Sequence, residues 1–374
     1  SELGGRTPLE AAVTPHFAAL AARSEVGRAA TIPLGYPPGS DVGNMSILGY
    51  DPARFHTGRA PIEAAAMGVE LGDDEVAFRC NLVTVDESSS TMVDFAAGHV
   101  ATDIAAEIIG AVDEALGAGR DGIRFVPGVM YRHVMVAPKS LAEADCVPPH
   151  DLIGQQARPP TGPAAGRLLD LMEASRAVVA ERAAALGSVA TQIWLWGQGS
   201  RPRLPNFTQT FGVAARLVSA VDLVRGLGVL TGIDPVFVAG ATGYYDTDYA
   251  AKRDACLKSL EDRDLFVLHI EATDEAGHNG EVERKVEALE RWDSLVIGPL
   301  LEALPALGPH RILLVPDHAT PCALRTHTAD PVPYLLFDSS VERRGCSWTE
   351  RATAGLAPVP GHELMQRLLC RPAG

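Results

Sequence analysis

Two short apolar runs near the C-terminal end, each leading into acidic and imidazole groups, constrain this chain more than any other feature. Leu265-Phe266-Val267-Leu268-His269-Ile270 has the composition of a buried strand and runs into Glu271-Ala272-Thr273-Asp274. Residues 281 to about 304 then carry Val286, Leu289, Trp292, Val296 and Leu300 at helical spacing between charged residues, with Pro305 helping to end the helix. A second buried run, Arg311-Ile312-Leu313-Leu314-Val315, passes into Pro316-Asp317-His318, and Val332-Pro333-Tyr334-Leu335-Leu336-Phe337 is a third candidate strand. Strand, helix, strand is the rhythm of an α/β sheet.

In an open α/β sheet, residues just past the carboxyl ends of neighbouring strands converge on one crevice. Asp274-x-x-x-His278, Asp317-His318 and His327 would then face one another as five candidate ligands. Carboxylates buried without partners are costly, and a divalent cation offsets that cost. Mixed nitrogen and oxygen donors favour manganese or zinc over magnesium or calcium. Upstream, Ser40 in Tyr36-Pro37-Pro38-Gly39-Ser40-Asp41-Val42-Gly43-Asn44 sits where a helix could begin. It reads either as an ordinary helix cap or, beside bound metal, as a hydroxyl nucleophile whose phosphate the helix N-terminus would receive.

The length of 374 residues suits two ordinary domains, and 47% hydrophobic residues suffice for their cores. A formal charge of -15 disfavours nucleic-acid and anionic-membrane surfaces, which need a basic face. The six cysteines, at 80, 146, 256, 322, 346 and 370, form no C-x-x-C pair and read as free thiols of a reducing compartment. No apolar run approaches the roughly 18 residues of a membrane helix, and no basic-then-apolar leader opens the chain, so a cytoplasmic location is expected.

The middle of the chain has its own pattern. Asn81 to Val85, Ile123 to Val126 and Tyr131 to Val136 read as strands, with a helix at about 101 to 117. A Pro- and Gly-dense passage from Pro148 to Pro163 precedes an Ala-rich helix at about 164 to 187 and the run Gln192-Ile193-Trp194-Leu195-Trp196. This is the organisation of an inserted domain. The expected division is 1–77, 78–211 and 212–374, the first and last segments forming one domain.

The motifs together resemble the archaeal-type, cofactor-independent phosphoglycerate mutases of the alkaline phosphatase superfamily, over nearly the whole chain. The resemblance rests on Leu3-Gly4-Gly5-Arg6-Thr7-Pro8-Leu9-Glu10, Pro37 to Asn44 with Leu48-Gly49-Tyr50-Asp51-Pro52, and Phe78-Arg79-Cys80-Asn81-Leu82-Val83-Thr84. It continues through Tyr131-Arg132-His133, Pro148-Pro149-His150-Asp151, Trp194-Leu195-Trp196-Gly197-Gln198-Gly199, Gly240-Ala241-Thr242-Gly243-Tyr244, Thr273-Asp274-Glu275-Ala276-Gly277-His278 and Pro316-Asp317-His318-Ala319-Thr320-Pro321.

That resemblance implies an alkaline phosphatase-like α/β core with a largely parallel sheet, interrupted by a smaller inserted substrate-binding domain, with the active site between the two. It implies two divalent ions, Mn2+ as first choice with Zn2+, Co2+ or Mg2+ as the others, and no 2,3-bisphosphoglycerate. Asp274, His278 and His327 would hold one ion, and Asp317, His318 and the nucleophile Ser40 the other. Ser40 would take phosphate from 3-phosphoglycerate and return it to the other hydroxyl, giving 2-phosphoglycerate. Arg132 and Arg201 are candidate clamps for the small phosphorylated acid, Asp94, His99 and Asp151 its polar partners, and Lys252 a phosphate contact. The resemblance further implies an opening strand ending in Asp-Gly, whose Asp ligates the ion that binds Ser40; its place would precede Ser1, so either sequence lies upstream of the loop-like start without methionine or the protein lacks that ligand and an inner strand. The same scaffold also hosts phosphatases, homoserine-kinase-like phosphotransferases and mutase-like enzymes of other phosphorylated or phosphonate metabolites, and a non-catalytic binding descendant is the remaining alternative. The sequence leaves the oligomeric state open.

Overall fold

The computed structural model describes residues Leu3–Leu369; the opening Ser1-Glu2 and Cys370 lie outside the described residues. The chain divides into two compact units: Thr57–Pro202, and the segments Ser1–His56 and Arg203–Gly374 together.

In the discontinuous unit the strand-helix-strand rhythm is present, with shorter strands than the apolar runs allow. Leu265–Leu268 pairs in parallel with Ala215–Val218, which pairs in parallel with Asp234–Pro235. Arg311–Leu314 belongs to a second sheet, in the order Arg311–Leu314, Val332–Asp338, Glu25–Ala30, Val359–Pro360. There the first two pairings are antiparallel and the last is parallel. The expected largely parallel sheet is instead two sheets among the described residues, one of them mixed, with Val332–Asp338 returning antiparallel beside Arg311–Leu314.

The long helix expected from 281 to about 304 is broken by a wide turn. Val282–Trp292 and Gly298–Ala303 are α-helical, but Asp293–Ile297 is a π-helix. Buried Asp293 explains the register: its carboxylate accepts from the backbone N–H groups of His16 (3.3 Å) and Phe17 (2.6 Å) and lies 2.8 Å from His16 Nδ1. It thereby satisfies the first turn of the helix Pro15–Ala21. Phe17, edge-on to Trp292 and Trp348, anchors the core on that side.

The unit Thr57–Pro202 is built on one antiparallel sheet. Its central strand, Glu75–Asp86, pairs with Arg132–Pro138 on one side and Gln192–Gly199 on the other; Thr91–Asp94 joins its far end and Arg124–Val126 flanks Arg132–Pro138. Thr102–Leu116 and Ala165–Leu186 pack together over the face carrying Phe78, Cys80 and Leu82. Ala60–Ala66 covers part of the other face, against Ala77, Val134 and Val136. Covered on both sides, the central strand is buried almost throughout. The units divide at 56/57 and 202/203, away from the expected 77 and 211, because Ala60–Ala66 and the loop from Gly199 pack on this sheet. The five described cysteines are free thiols, and no described helix is long and apolar enough to cross a membrane.

In the discontinuous unit, one backbone contact ties the helix Ser40–Ile47 to the segment after Arg311–Leu314. The two lie so close that a Cβ on Gly43 would collide with the carbonyl oxygen of Asp317 and stand 2.9 Å from its carbonyl carbon. Alanine favours a helix interior over glycine by about 1 kcal/mol, whereas overpacking against backbone costs about 1–3 kcal/mol. Gly43→Ala is therefore expected to lower the melting temperature followed by circular dichroism, and an unchanged or raised value would show that the helix has room to move away.

Candidate metal centre and active site

Asp274 and His278 lie four residues apart on the helix Ala272–Asn279, so both side chains leave the same face. His278 Nε2 is 3.2 Å from Asp274 Oδ2, and His327 Nε2 is 3.5 Å from Asp274 Oδ1. The two imidazoles meet nitrogen to nitrogen, Nε2 to Nε2, at 2.8 Å. Their other nitrogens are held by backbone: His278 Nδ1 faces the carbonyl of Arg325 (3.1 Å) and His327 Nδ1 that of Pro38 (3.3 Å).

With each Nδ1 facing a carbonyl and so carrying a proton, the two Nε2 atoms and the Asp274 carboxylate converge on one point, where either a ring proton or a metal ion can sit between them. Asp274, His278 and His327 present donor atoms within 4.8 Å of one another, and the set of two nitrogens and one oxygen fits a transition-metal ion. Burial alone would raise the Asp274 carboxyl, but the hydrogen bonds and charges of His278 and His327 outweigh it and hold the group well below the usual range. Its hydrogen bond to Asp274 in turn raises His278.

Ser40 opens its helix, with Gly39 as the cap residue, so the hydroxyl is not the helix cap. It lies instead 3.0 Å from His318 Nε2. Asn44, one turn on, donates through Nδ2 to Asp317 Oδ2 (2.8 Å) and to the Ser40 carbonyl (3.0 Å), and the His318 backbone N–H donates to Asp317 Oδ1 (3.0 Å). Thr320 joins the two donor sets. Its hydroxyl donates to Asp274 Oδ1, so the 3.2 Å contact with His318 Nδ1 must use an N–H on the ring. His318 Nε2 is then the free lone pair that faces Ser40. Asp317, His318 and Ser40 thus form a second group of donors beside the first, and the rings of His318 and His327 lie 4.0 Å apart.

Asp274, Asp317 and His318 border a cavity of about 1930 Å3, which Leu265–Leu268 and Arg311–Leu314 also line. Lys252 is fully buried nearby, its Nζ donating to the carbonyls of His269 (3.2 Å) and Thr242 (3.4 Å). Burial pulls this ammonium down to about 8, with Glu271 partly opposing. The His269 ring, between Ser219 Oγ (2.9 Å) and Glu271 Oε2 (3.2 Å), is pulled by burial to about 4 and stays neutral.

The remaining candidates belong to the unit Thr57–Pro202. Asp94 accepts from the backbone N–H groups of Ala96 (2.8 Å) and Gly98 (2.6 Å), so its carboxylate is engaged in shaping its own loop. His99, in the left-handed region at φ 55°, is exposed beside Tyr131. Arg132 is half-buried, Asp151 is exposed with its carboxylate 3.7 Å from His150, and Arg201 is exposed. The structure brings Ser40, Asp274, His278, Asp317, His318 and His327 together; in the unit Thr57–Pro202, His99 and Arg132 both lie against Tyr131. Sequence reasoning overlooked Asn44 and Thr320. The spacing of four from Ser40 signals the first; nothing in the sequence signals the second.

Among known proteins, the family described as 2,3-bisphosphoglycerate-independent phosphoglycerate mutase matches residues 21–184. A probable 2,3-bisphosphoglycerate-independent phosphoglycerate mutase of Geobacter sulfurreducens is 46% identical over 99% of this chain and 96% of its own length. A solved Pyrococcus horikoshii protein superposes with a TM-score of 0.79 at 28% identity, over 100% of this chain and 94% of that one. The cofactor-independent phosphoglycerate mutase of Thermoplasma acidophilum shares the fold, at a TM-score of 0.60 and 23% identity over 98% of this chain and 94% of its own. With a relative this similar over almost its full length, the chain belongs to the 2,3-bisphosphoglycerate-independent phosphoglycerate mutase family.

Proposed function

We propose that this member of the family interconverts 3-phosphoglycerate and 2-phosphoglycerate with Ser40 as the phosphoryl acceptor and without 2,3-bisphosphoglycerate. The observation that carries the reading is the Ser40 hydroxyl, 3.0 Å from a His318 nitrogen at the start of a helix and beside two groups of convergent donors. In the forward direction the Ser40 oxygen bonds phosphorus as the bond from phosphorus to the 3-oxygen breaks. The 2-oxygen of the retained glycerate then bonds phosphorus and the serine oxygen leaves. The N–H groups and dipole at the start of the helix Ser40–Ile47 favour the anionic phosphoryl group, and Asn44 holds Asp317 in place while this happens.

Asp274, His278 and His327 would hold one divalent ion, and Asp317, His318 and Ser40 a second, with Mn2+ our first choice. Bound there, such ions supply charge neutralisation for phosphoryl transfer and ease deprotonation of a serine hydroxyl. An alkaline phosphatase-like role for the discontinuous unit and a substrate-binding role for Thr57–Pro202 complete the proposal, in a cytoplasmic setting. We further propose the buried Lys252 as a phosphate contact.

The test is a metal-supplemented reaction of 3-phosphoglycerate followed by phosphorus NMR. Formation of 2-phosphoglycerate without free phosphate is expected; phosphate alone would make the protein a phosphatase, and no reaction would transfer the reading to another phosphorylated acid. Ser40→Ala should lower turnover by at least about 10^3-fold, the scale on which loss of a nucleophile is felt, with an unchanged melting temperature. Retained turnover would end the phosphoserine mechanism. Asp274→Asn should cost about one equivalent of bound metal by elemental analysis, and unchanged metal content would remove it from the ligand set.

The pH dependence of stability tests Lys252. Because its folded value lies near 8, below the ordinary 10.5, the unfolded chain binds more protons between those limits. Stability should therefore rise with pH across that window. In chelated Lys252→Met that rise should vanish, while turnover of the metal-loaded enzyme falls; a variant as active as the parent would free Lys252 of its role.

A further inference from the structure

The loop from Ala319 to Thr328 does more at the first donor set than supply His327. An antiparallel bridge closes its ends, the Thr328 N–H donating to the Ala319 carbonyl at 2.9 Å. Within it, the Leu324 and Arg325 N–H groups both donate to the Pro321 carbonyl at 2.9 Å, which makes a tight turn. From this one loop come the Thr320 hydroxyl that meets Asp274, the Arg325 carbonyl that meets His278 Nδ1, and the His327 ring itself. Arg325 takes part through its backbone.

That backbone is held in an unfavourable conformation. Arg325 sits at φ 56°, in the left-handed region that residues with a side chain rarely enter. Such a residue persists only where its surroundings over-determine it, and residues of this kind cluster at functional sites. Because Arg325 is exposed, core packing does not account for the conformation. What the conformation achieves is a reversal of the chain: the Arg325 carbonyl faces His278 Nδ1 at 3.1 Å, while His327, two positions on, brings its Nε2 to 2.8 Å from the other nitrogen of the same ring. The side chain meets the same helix at its end. A Cβ on Gly280, which closes the helix Ala272–Asn279, would stand 2.7 Å from Arg325 Nε, so the guanidinium lies against the helix C-terminus, where a cation is favoured.

We propose that Arg325 is a positioning residue for the metal centre: its left-handed backbone aims its carbonyl at His278 Nδ1 and so fixes the ring that would hold the ion, an assignment that rests on the proposed function, in which His278 is a ligand. An acceptor on Nδ1 keeps the proton there, leaves Nε2 as the ligating atom and stops the ring from turning over. The guanidinium against the helix end is a separate contact, and it offsets part of the strain in the backbone of the same residue. Substitution can separate the two, because asparagine enters the left-handed region readily and β-branched residues do not.

The affinity of the full chain for Mn2+ is measured from the paramagnetic resonance of the free ion, with the melting temperature followed alongside. Arg325→Asn discards the guanidinium and tolerates the conformation; it should bind Mn2+ within a few-fold of the parent. Arg325→Val and Arg325→Thr discard the guanidinium and oppose the conformation; they should bind about 10- to 100-fold more weakly, the usual loss when the outer partner of a ligand goes. A second readout needs no metal. In the chelated full chain under alkaline conditions, nitrogen NMR of labelled histidine, with His278 assigned from His278→Gln, should show the proton on Nδ1 in the parent and in Arg325→Asn. The Nδ1 signal should move towards the unprotonated position in both β-branched variants. Unchanged affinity and an unchanged Nδ1 signal in those two variants would overturn the proposal, whatever their melting temperatures, since a merely structural turn would give that result. Equal weakening in Arg325→Asn would also overturn it, by transferring the effect to the guanidinium. A parent that binds no Mn2+ would count against the ion at His278, and the NMR result would then decide by itself whether Arg325 holds the ring.

Discussion

The segment Asp317 to Thr320 is the support on which the two groups of convergent donors in this chain depend, and two glycines allow it to be so. Gly43, in the Ser40 helix, lies against the Asp317 carbonyl; Gly277, in the Asp274 helix, lies as closely against the Thr320 carbonyl. A side chain at either place would meet backbone, which cannot swing aside as a flexible side chain can. The two close approaches set Ser40 near His318 and Asp274 near Thr320, and the hydrogen bonds among these four residues depend on that placement.

Given that placement, electrostatics does the rest. Backbone carbonyls take one nitrogen of each imidazole and so decide which nitrogen is left for the centre. The Thr320 hydroxyl, with a single proton to give, passes the orientation of the Asp274 carboxylate to the ring of His318. Protein groups outside the donor set therefore choose the protonation pattern within it, and a site of this kind is prearranged for charge before any ligand arrives.

Much of this was legible in the sequence. The acid and imidazole pairs after two apolar runs identified the centre, because a carboxylate just beyond a buried strand has few other uses. The elements of the inserted unit were readable to within a few residues, Thr102–Leu116 and Ala165–Leu186 among them, since helical periodicity and flanking glycines mark their ends. What could not be read was long-range. The π-turn at Asp293 answers to a helix some 277 positions away, the split into two sheets depends on which strand Val332–Asp338 joins, and the start of the inserted unit at Thr57 is set by packing on a strand that begins at Glu75. Arg79 appeared in the sequence only as part of a motif; the fold pairs it with Glu63 on the helix Ala60–Ala66.

The strands Leu265–Leu268 and Arg311–Leu314 carry a further consequence. Each has a strand neighbour on one side only among the described residues, and their other edges border the large cavity. Unpaired N–H and C=O groups beside apolar walls are a template for extended peptide.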